Sequence, residues 1–349
     1  MNHARRPMAL LRHLLIASLT LALAAPAVAE QEDTLHLFGS GASFAAPLYL
    51  RWFRDYYLAH PEIRVDYQST GTAGGVKDLT DGRVDFAGSD LPMTDAQAAE
   101  VAGGIRQVPM AGGGIVAIYN LGSVPELKLS RDALVGIFSG SIARWNDPAI
   151  AATNPGADLP DAPITVVARA DSSGTTYKFT RHLSALSETF ADEVGTGMLP
   201  SWPRALKARG GLVRGRGNDG VAATVRAIPG SIGYVQYAFG FLPGITMAAL
   251  ENRSGKIVAP GKTGFDAAMQ SIQDNQTVEA ASDPPGNESY PIVGISWLIL
   301  RNTYDDPAKL PVLKDVIAYA IGQGQEVTEQ LGYVRFPARV IAYIEEQLK

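Results

Sequence analysis

Short apolar segments typical of β-strands alternate along this chain with longer segments that have helical spacing. The predicted strands are residues 34–38, 62–68, 84–88, 115–119, 164–168, 232–235 and 292–300. The predicted helices include one that carries Trp52 and two others over residues 312–331 and 340–348. Uninterrupted apolar strands such as 115–119 are typical of parallel sheets that are buried on both faces. The alternation therefore predicts an α/β fold with mainly parallel sheets.

The length and composition limit the possible classes of protein. At about 150 residues per domain, 349 residues predict two domains, each with its own core. The chain has no cysteine, which excludes disulfides, thiolate metal sites and a cysteine nucleophile. No Lys/Arg run marks a nucleic-acid surface.

Residues 1–29 have the pattern of a secretory signal peptide. A basic head with three arginines precedes an apolar core over 14–25, and small residues at 27–29 predict cleavage after about Ala29. That core is shorter than the ~20 residues that a membrane-spanning helix needs. Loss of the three arginines would leave 27 Lys and Arg against 35 Asp and Glu, a net charge of −8. We expect an exported, acidic protein in the periplasm that is not embedded in the membrane.

Three loops that join a predicted strand to a predicted helix are rich in Gly, Ser and Thr. They are residues 39–44, 69–75 and 169–176. Free N–H groups and the positive dipole end at a helix start favour an anion, and glycine lets the backbone approach it closely. Any one loop is better explained as a turn followed by an N-cap. The recurrence of the pattern three times favours a shared anion site.

Two further groups bear on which anion such a site would bind. Arg169 ends a predicted strand, and Asp171 could orient its guanidinium, although a solvated ion pair is the alternative. Asp90 ends the strand over 84–88, where a turn or cap role is the alternative. A carboxylate repels a bound anion unless that anion donates a proton. Phosphate keeps a proton near neutral pH and sulfate does not, so Asp90 would favour phosphate over sulfate.

Five stretches in order resemble the periplasmic phosphate-binding proteins, the solute receptors of ABC-type phosphate importers. They are GSGASFAAPLYLRW from Gly39, GGVKDL from Gly74, VDFAGSD from Val84, RADSSGT from Arg169 and GNDGVAATVRAIPGSIGY from Gly217. The resemblance implies that phosphate is bound by Ser43, Phe44 through its N–H, Thr72, Asp90, Arg169, Ser173, Gly174 through its N–H, and Thr175. It also implies that Asp171 is the partner of Arg169. The family often has Thr at position 43 and Ser at position 72, and this chain keeps the hydroxyl at both.

The same resemblance implies a type II periplasmic binding-protein fold, in which two α/β lobes enclose a ligand cleft. Lobe one would be residues 30–119 and 293–349, and lobe two residues 120–292. The expected protein is a monomeric receptor that delivers inorganic phosphate to a membrane permease, without chemistry and without a cofactor or metal.

Alternative functions remain open at this point. The chain could bind another oxyanion such as sulfate or molybdate, act as an exported phosphatase, or be a sensory protein that has lost binding. A phosphatase would need a nucleophile with a base, or two metals. The three histidines after residue 29 are widely spaced, which disfavours a zinc site. Residues 218–220 are interpreted as a helix cap rather than a cleft contact.

Overall fold

The computed structural model describes residues 34–271 and 282–349. The predicted signal peptide over 1–29 lies outside the described residues. Within these ranges no helix combines the length and the apolar character that are needed to cross a bilayer.

Strands and helices alternate as the apolar pattern predicts. The strands are β1 (Leu35–Gly41), β2 (Ile63–Ser69), β3 (Phe86–Ser89), β4 (Ile105–Tyr119), β5 (Lys128–Leu129), β6 (Thr165–Arg169), β7 (Leu212–Gly215), β8 (Ser231–Gln236), β9 (Thr246–Met247), β10 (Ala249–Glu251), β11 (Ile257–Val258) and β12 (Val293–Arg301).

The helices mostly follow strands along the chain. They are α1 (Ala46–Ala59), α2 (Thr72–Thr80), α3 (Asp95–Ala99), α4 (Arg131–Ser139), α5 (Pro148–Ala151), α6 (Gly174–Leu186), α7 (Glu188–Glu193), α8 (Arg204–Ala208), α9 (Gly217–Ala227), α10 (Lys262–Ser271), α11 (Lys309–Ile321), α12 (Gln325–Gln330) and α13 (Ala338–Gln347), with a 3-10 helix at Tyr237–Phe241.

Local sequence signals explain where several helices begin and end. Pro47 lies in the first turn of α1, and α1 ends before His60 and Pro61. Thr94 and Gln97 form a capping box at α3. The helix predicted over 312–331 is wrong in one respect, because Gly322 ends α11 and α12 begins three residues later. Glycine costs helix stability, so a break there is physically reasonable.

One mixed sheet runs through the described residues in the order β2-β1-β3-β12-β4-β8-β6-β7, with β9 beside β4. β1 is parallel to β2 and β3, and β6 is parallel to β7 and β8. A small second sheet has the order β11-β10-β5. The chain is thus α/β as predicted.

The prediction of parallel pairing is wrong for the two long apolar strands. β12 is antiparallel to β3 and β4, and β4 is antiparallel to β8. A continuous apolar run shows that a strand is covered on both faces, and it carries no information about the direction of its neighbours. Burial agrees with the prediction, since residues 108–119 of β4 are buried throughout.

β4 changes partner along its length. Residues 105–114 pair with β12, and residues 115–119 pair with β8. We call β1, β2, β3, β12 and residues 105–114 the first sheet half. Residues 115–119 with β6, β7 and β8 are the second sheet half. Each half packs buried aromatic side chains: Tyr49, Trp52, Phe53, Tyr67 and Phe86 in the first, and Phe138, Phe179, Trp202 and Tyr234 in the second.

Candidate functional site

The strand directions bring two sets of carboxyl ends to face each other. β3 and β4 are both antiparallel to β12, so β1, β2 and β3 run in the direction of β4, toward the second sheet half. β8 is antiparallel to β4, so β6, β7 and β8 run back toward the first sheet half. Ligands of open α/β sheets bind outside the carboxyl ends of the strands. The three predicted loops and Asp90 follow β1, β2, β6 and β3, and they meet at this junction.

Ser43 lies in the turn between β1 and α1 and is buried. Its Oγ accepts hydrogen bonds from the main-chain N of Asn218 at 3.1 Å and from Asn218 Nδ2 at 2.9 Å. The next residue, Phe44, is also buried, and its carbonyl accepts a hydrogen bond from the Tyr333 hydroxyl at 2.7 Å. The turn is therefore held on both sides of the Ser43–Phe44 peptide bond.

Thr72 is the first residue of α2 and lies directly against the start of α6. Its Oγ1 accepts hydrogen bonds from the N–H of Gly174 at 3.2 Å and from the N–H of Asp90 at 3.4 Å. Gly71 precedes it with a φ of +87°, and a Cβ there would lie 2.6 Å from Asp171 Oδ2. Glycine is required at position 71 by this conformation and by the close approach of the Asp171 loop.

Asp90 is 1% exposed, and its Oδ2 accepts a 3.5 Å hydrogen bond from Thr175 Oγ1. Burial raises the pKa of its carboxyl group, and the charges of Lys178 and Arg169 oppose that shift. A turn or cap role does not account for a carboxyl group that is buried against the start of α6.

Arg169 and Asp171 form a buried pair, so the alternative of a solvated ion pair is wrong. Arg169 Nε donates to Asp171 Oδ1 at 2.8 Å, and Nη2 donates to Oδ2 at 2.5 Å. Burial acts to raise the pKa of Asp171, but the hydrogen bonds and charge of Arg169 prevail and lower it. Among the described residues, the buried Nη1 of Arg169 has no hydrogen-bond acceptor. A buried guanidinium nitrogen without an acceptor is costly, so it points to a ligand.

The start of α6 supplies the remaining predicted residues. Ser173 is its N-cap, and the Ser173 hydroxyl oxygen accepts from the Thr176 N–H at 3.2 Å. The capping interpretation of this loop is thus confirmed, and the Ser173 hydroxyl keeps its own proton for donation. Gly174 packs so closely that a Cβ there would lie 2.2 Å from Asp90 Cβ.

Two residues of this cluster were not predicted from the sequence. Asn218 was interpreted as a helix cap, which is wrong: α9 begins at Gly217 after Arg216, without a side-chain cap. Asn218 is fully buried and donates to Ser43 and, at 3.4 Å, to Thr175 Oγ1. Lys178 is the second residue, and its ammonium group donates to the Asp90 carbonyl. Both depend on partners far away in the sequence; for Asn218 the cleft contact was the alternative to the helix cap, and Lys178 has no local signal.

The structure gives no support to a metal or serine-histidine site within residues 34–271 and 282–349. No group of three or more His, Asp and Glu side chains there could hold a metal ion. His36 is bonded to Asp66 on the surface, His60 lies near Glu62, and His182 is buried in α6. The hydrogen-bond partner of Ser43 Oγ in this part of the chain is Asn218.

Comparisons with known proteins agree on one family. The sequence profile of the PBP superfamily domain matches residues 26–323. A phosphate-binding protein PstS from Xylella fastidiosa is 34% identical over 325 residues, covering 92% of this chain and 86% of the relative. The protein of the same name from Pasteurella multocida is 37% identical over 316 residues, covering 89% of each chain. A solved high-affinity periplasmic phosphate-binding protein with bound phosphate has a TM-score of 0.71 at 22% identity, covering 89% of this chain and 93% of that one.

Proposed function

The chain belongs to the PstS family of phosphate-binding proteins, and on that premise we propose that it is a receptor for inorganic phosphate. It binds the anion between the carboxyl ends of the two sheet halves and delivers it to the permease of an ABC importer. The chain performs no chemistry on its ligand, which is consistent with relatives that are named as binding proteins.

One observation carries this proposal. The Asp90 carboxyl group and the Arg169 guanidinium are both buried in one cluster with hydroxyls and helix N–H groups. The guanidinium, the hydroxyls and the N–H groups suit an oxyanion, and the carboxyl group selects an oxyanion that still carries a proton. Phosphate meets both conditions near neutral pH. In the proposed site Ser43, Thr72, Ser173 and Thr175 donate hydroxyls, Phe44 and Gly174 donate N–H groups, and Asp171 orients Arg169. The Gly174 N–H and the Thr175 hydroxyl exchange their hydrogen bonds to Thr72 and Asp90 for bonds to the ligand.

We also propose the two-lobe division, with residues 30–119 and 293–349 in one lobe and 120–292 in the other. The change of partner in β4 lies between Gly114 and Ile115, five residues before the proposed boundary, and supports a division in this part of the chain. Residues 115–119 of lobe one pair with β8 of lobe two. Ligand contacts from both lobes would favour a closed form, because that form alone completes them. The export of the chain to the periplasm by residues 1–29 is part of the same proposal.

Isothermal titration calorimetry of the purified chain with phosphate, arsenate and sulfate tests the function. We expect tight 1:1 binding of phosphate and no measurable heat with sulfate. Equal binding of sulfate would favour a general oxyanion receptor. Turnover of para-nitrophenyl phosphate that is lost in Ser43→Ala would favour a phosphatase, and either result would contradict the proposal.

A further inference from the structure

Lys178 is a buried lysine that connects the two sheet halves beside the proposed site. It lies one helical turn after Gly174, so both residues face the same side of α6. The residue is 7% exposed, and its ammonium group donates to the main-chain carbonyl of Asp90. Burial of an ammonium group is costly unless nearby acceptors and negative charge compensate it.

A glycine in β12, Gly294, leaves the space that the Lys178 side chain occupies. A Cβ on Gly294 would lie 2.4 Å from Lys178 Cδ and 2.5 Å from its Cε. Any side chain at position 294 would therefore displace the lysine stem. The path of Lys178 toward Asp90 is thus built by two elements: α6, which follows β6 of the second sheet half, and β12 of the first.

Among the charges of Arg169, Asp171, Asp90 and Lys178, positive and negative balance only when Lys178 is counted. Arg169 and Asp171 neutralise each other, which leaves the negative charge of an ionised Asp90. The ammonium group opposes the rise in the pKa of Asp90 that burial causes. Three buried tyrosines also lie near Asp90. Burial raises the pKa of each hydroxyl, so all three stay neutral. They are Tyr49, Tyr67 and Tyr333. His182, on the next turn of α6, is neutral as well because burial lowers its pKa.

We propose that Lys178 is a specificity-determining residue, whose charge allows the site to bind doubly charged phosphate beside an ionised Asp90. The inference rests on the proposed function. Without this charge the cluster has a net charge of −1, and each negative charge on the ligand adds to the repulsion. The interaction of Lys178 with the ligand is proportional to ligand charge, so a tenfold weaker binding of the monoanion implies roughly a hundredfold weaker binding of the dianion.

The test compares phosphate dissociation constants of the wild-type chain and Lys178→Met at about pH 5.5 and about pH 8.5, where phosphate is mainly monoanion and mainly dianion. We expect the loss of affinity in the variant to be about tenfold larger at the higher pH. Lys178→Gln keeps a hydrogen-bond donor without the charge and is expected to behave like Lys178→Met. Lys178→Gln also replaces Lys178→Met in the comparison of dissociation constants if Lys178→Met fails to fold.

Lys77→Met is the matched control, because Lys77 is an exposed lysine of α2 that pairs with Asp81. It is expected to keep the wild-type dissociation constant at both pH values. Equal losses at both pH values in Lys178→Met, or wild-type behaviour of Lys178→Gln, would overturn the charge role of Lys178. Failure of the wild-type chain to bind phosphate would instead overturn the proposed function.

Discussion

At the scale of single residues, the Asp90 carboxyl group distinguishes this cluster from a general anion site. Hydroxyls, N–H groups and a guanidinium attract any oxyanion, whereas a buried carboxylate repels one that has no proton to donate. Burial raises the pKa of Asp90, and the charges of Lys178 and Arg169 oppose that rise and favour the ionised form that makes this selection. An ionised Asp90 needs a proton from its ligand, which phosphate supplies near neutral pH and sulfate does not.

Asp90→Asn is predicted to reduce the preference for phosphate over sulfate. The amide can donate to an anion that has no proton, so sulfate binding gains, while phosphate loses a charge-assisted hydrogen bond. The ratio of the two dissociation constants is expected to fall by about tenfold or more. Competitive calorimetry measures it, with the exposed Asp66→Asn as control. An unchanged ratio in Asp90→Asn would contradict the role of the shared proton.

Arg169→Met is predicted to weaken phosphate binding by about 3 kcal/mol or more, because a buried cation is removed from an anion site. The variant also leaves Asp171 buried without its partner. The melting temperature of the ligand-free variant therefore has to be measured beside the calorimetry. Arg64→Met removes an exposed arginine and is the control. A wild-type dissociation constant in Arg169→Met would place phosphate elsewhere.

Single residues also show where prediction from the sequence stops. The sequence predicts Ser43, Thr72, Asp90 and Arg169 as one site, and the structure brings them together. The prediction of a helix cap at Asn218 is wrong because its hydrogen-bond partner, Ser43, is 175 positions away and leaves no local pattern. The role of Lys178 has no local signal in the sequence, because lysine is rarely buried and its acceptor is a main-chain carbonyl 88 positions away.

At the scale of elements, the site depends on how closely the start of α6 approaches the first sheet half. The Gly174 N–H donates to Thr72 across the junction, and the absence of a Cβ lets the helix reach Asp90. The positions of these loops could be predicted because strand ends and helix starts have local signals. The directions of β4 and β12 could not, because pairing is decided by residues that are distant in sequence.

Gly174→Ala is predicted to weaken phosphate binding by about a hundredfold without unfolding the chain. The new Cβ would lie 2.2 Å from Asp90 Cβ and 3.0 Å from Thr72 Oγ1, so α6 has to move away from both. Calorimetry and circular dichroism measure binding and folding. Gly122→Ala is the control, since a Cβ there meets nothing within 4 Å. Wild-type affinity in Gly174→Ala would show that this contact is not needed for binding.

At the scale of the whole molecule, stability is predicted to fall in acid because of His182. Burial lowers the pKa of this histidine to about 3, so the folded chain binds no proton there between about pH 6.5 and about pH 3, whereas the unfolded chain does. The stability that neutral His182 contributes is fully present above the pKa that this histidine has in the unfolded chain. It is lost as the pH falls from about 6.5 to about 3. The nearby Arg131 charge adds to the effect.

The free energy of unfolding from urea titrations at several pH values measures this dependence. His182 is expected to contribute a slope of up to about 1.4 kcal/mol per pH unit between about pH 6 and about pH 4. His182→Leu should lose that part of the slope while folding normally at neutral pH. A variant with the full wild-type slope would show that other groups cause the acid sensitivity.

The path of β4 through both sheet halves bears on attempts to divide the protein. Its 15 residues form one continuous strand, paired with β12 on one side of Gly114 and with β8 on the other. Proteases cut exposed, flexible backbone, and residues 108–119 are buried in a hydrogen-bonded ladder. Limited proteolysis is therefore unsuited to releasing two separate fragments at this point. A chain truncated after Tyr119 would contain β4 without β8 or β12, so neither sheet half is complete in a fragment that ends there.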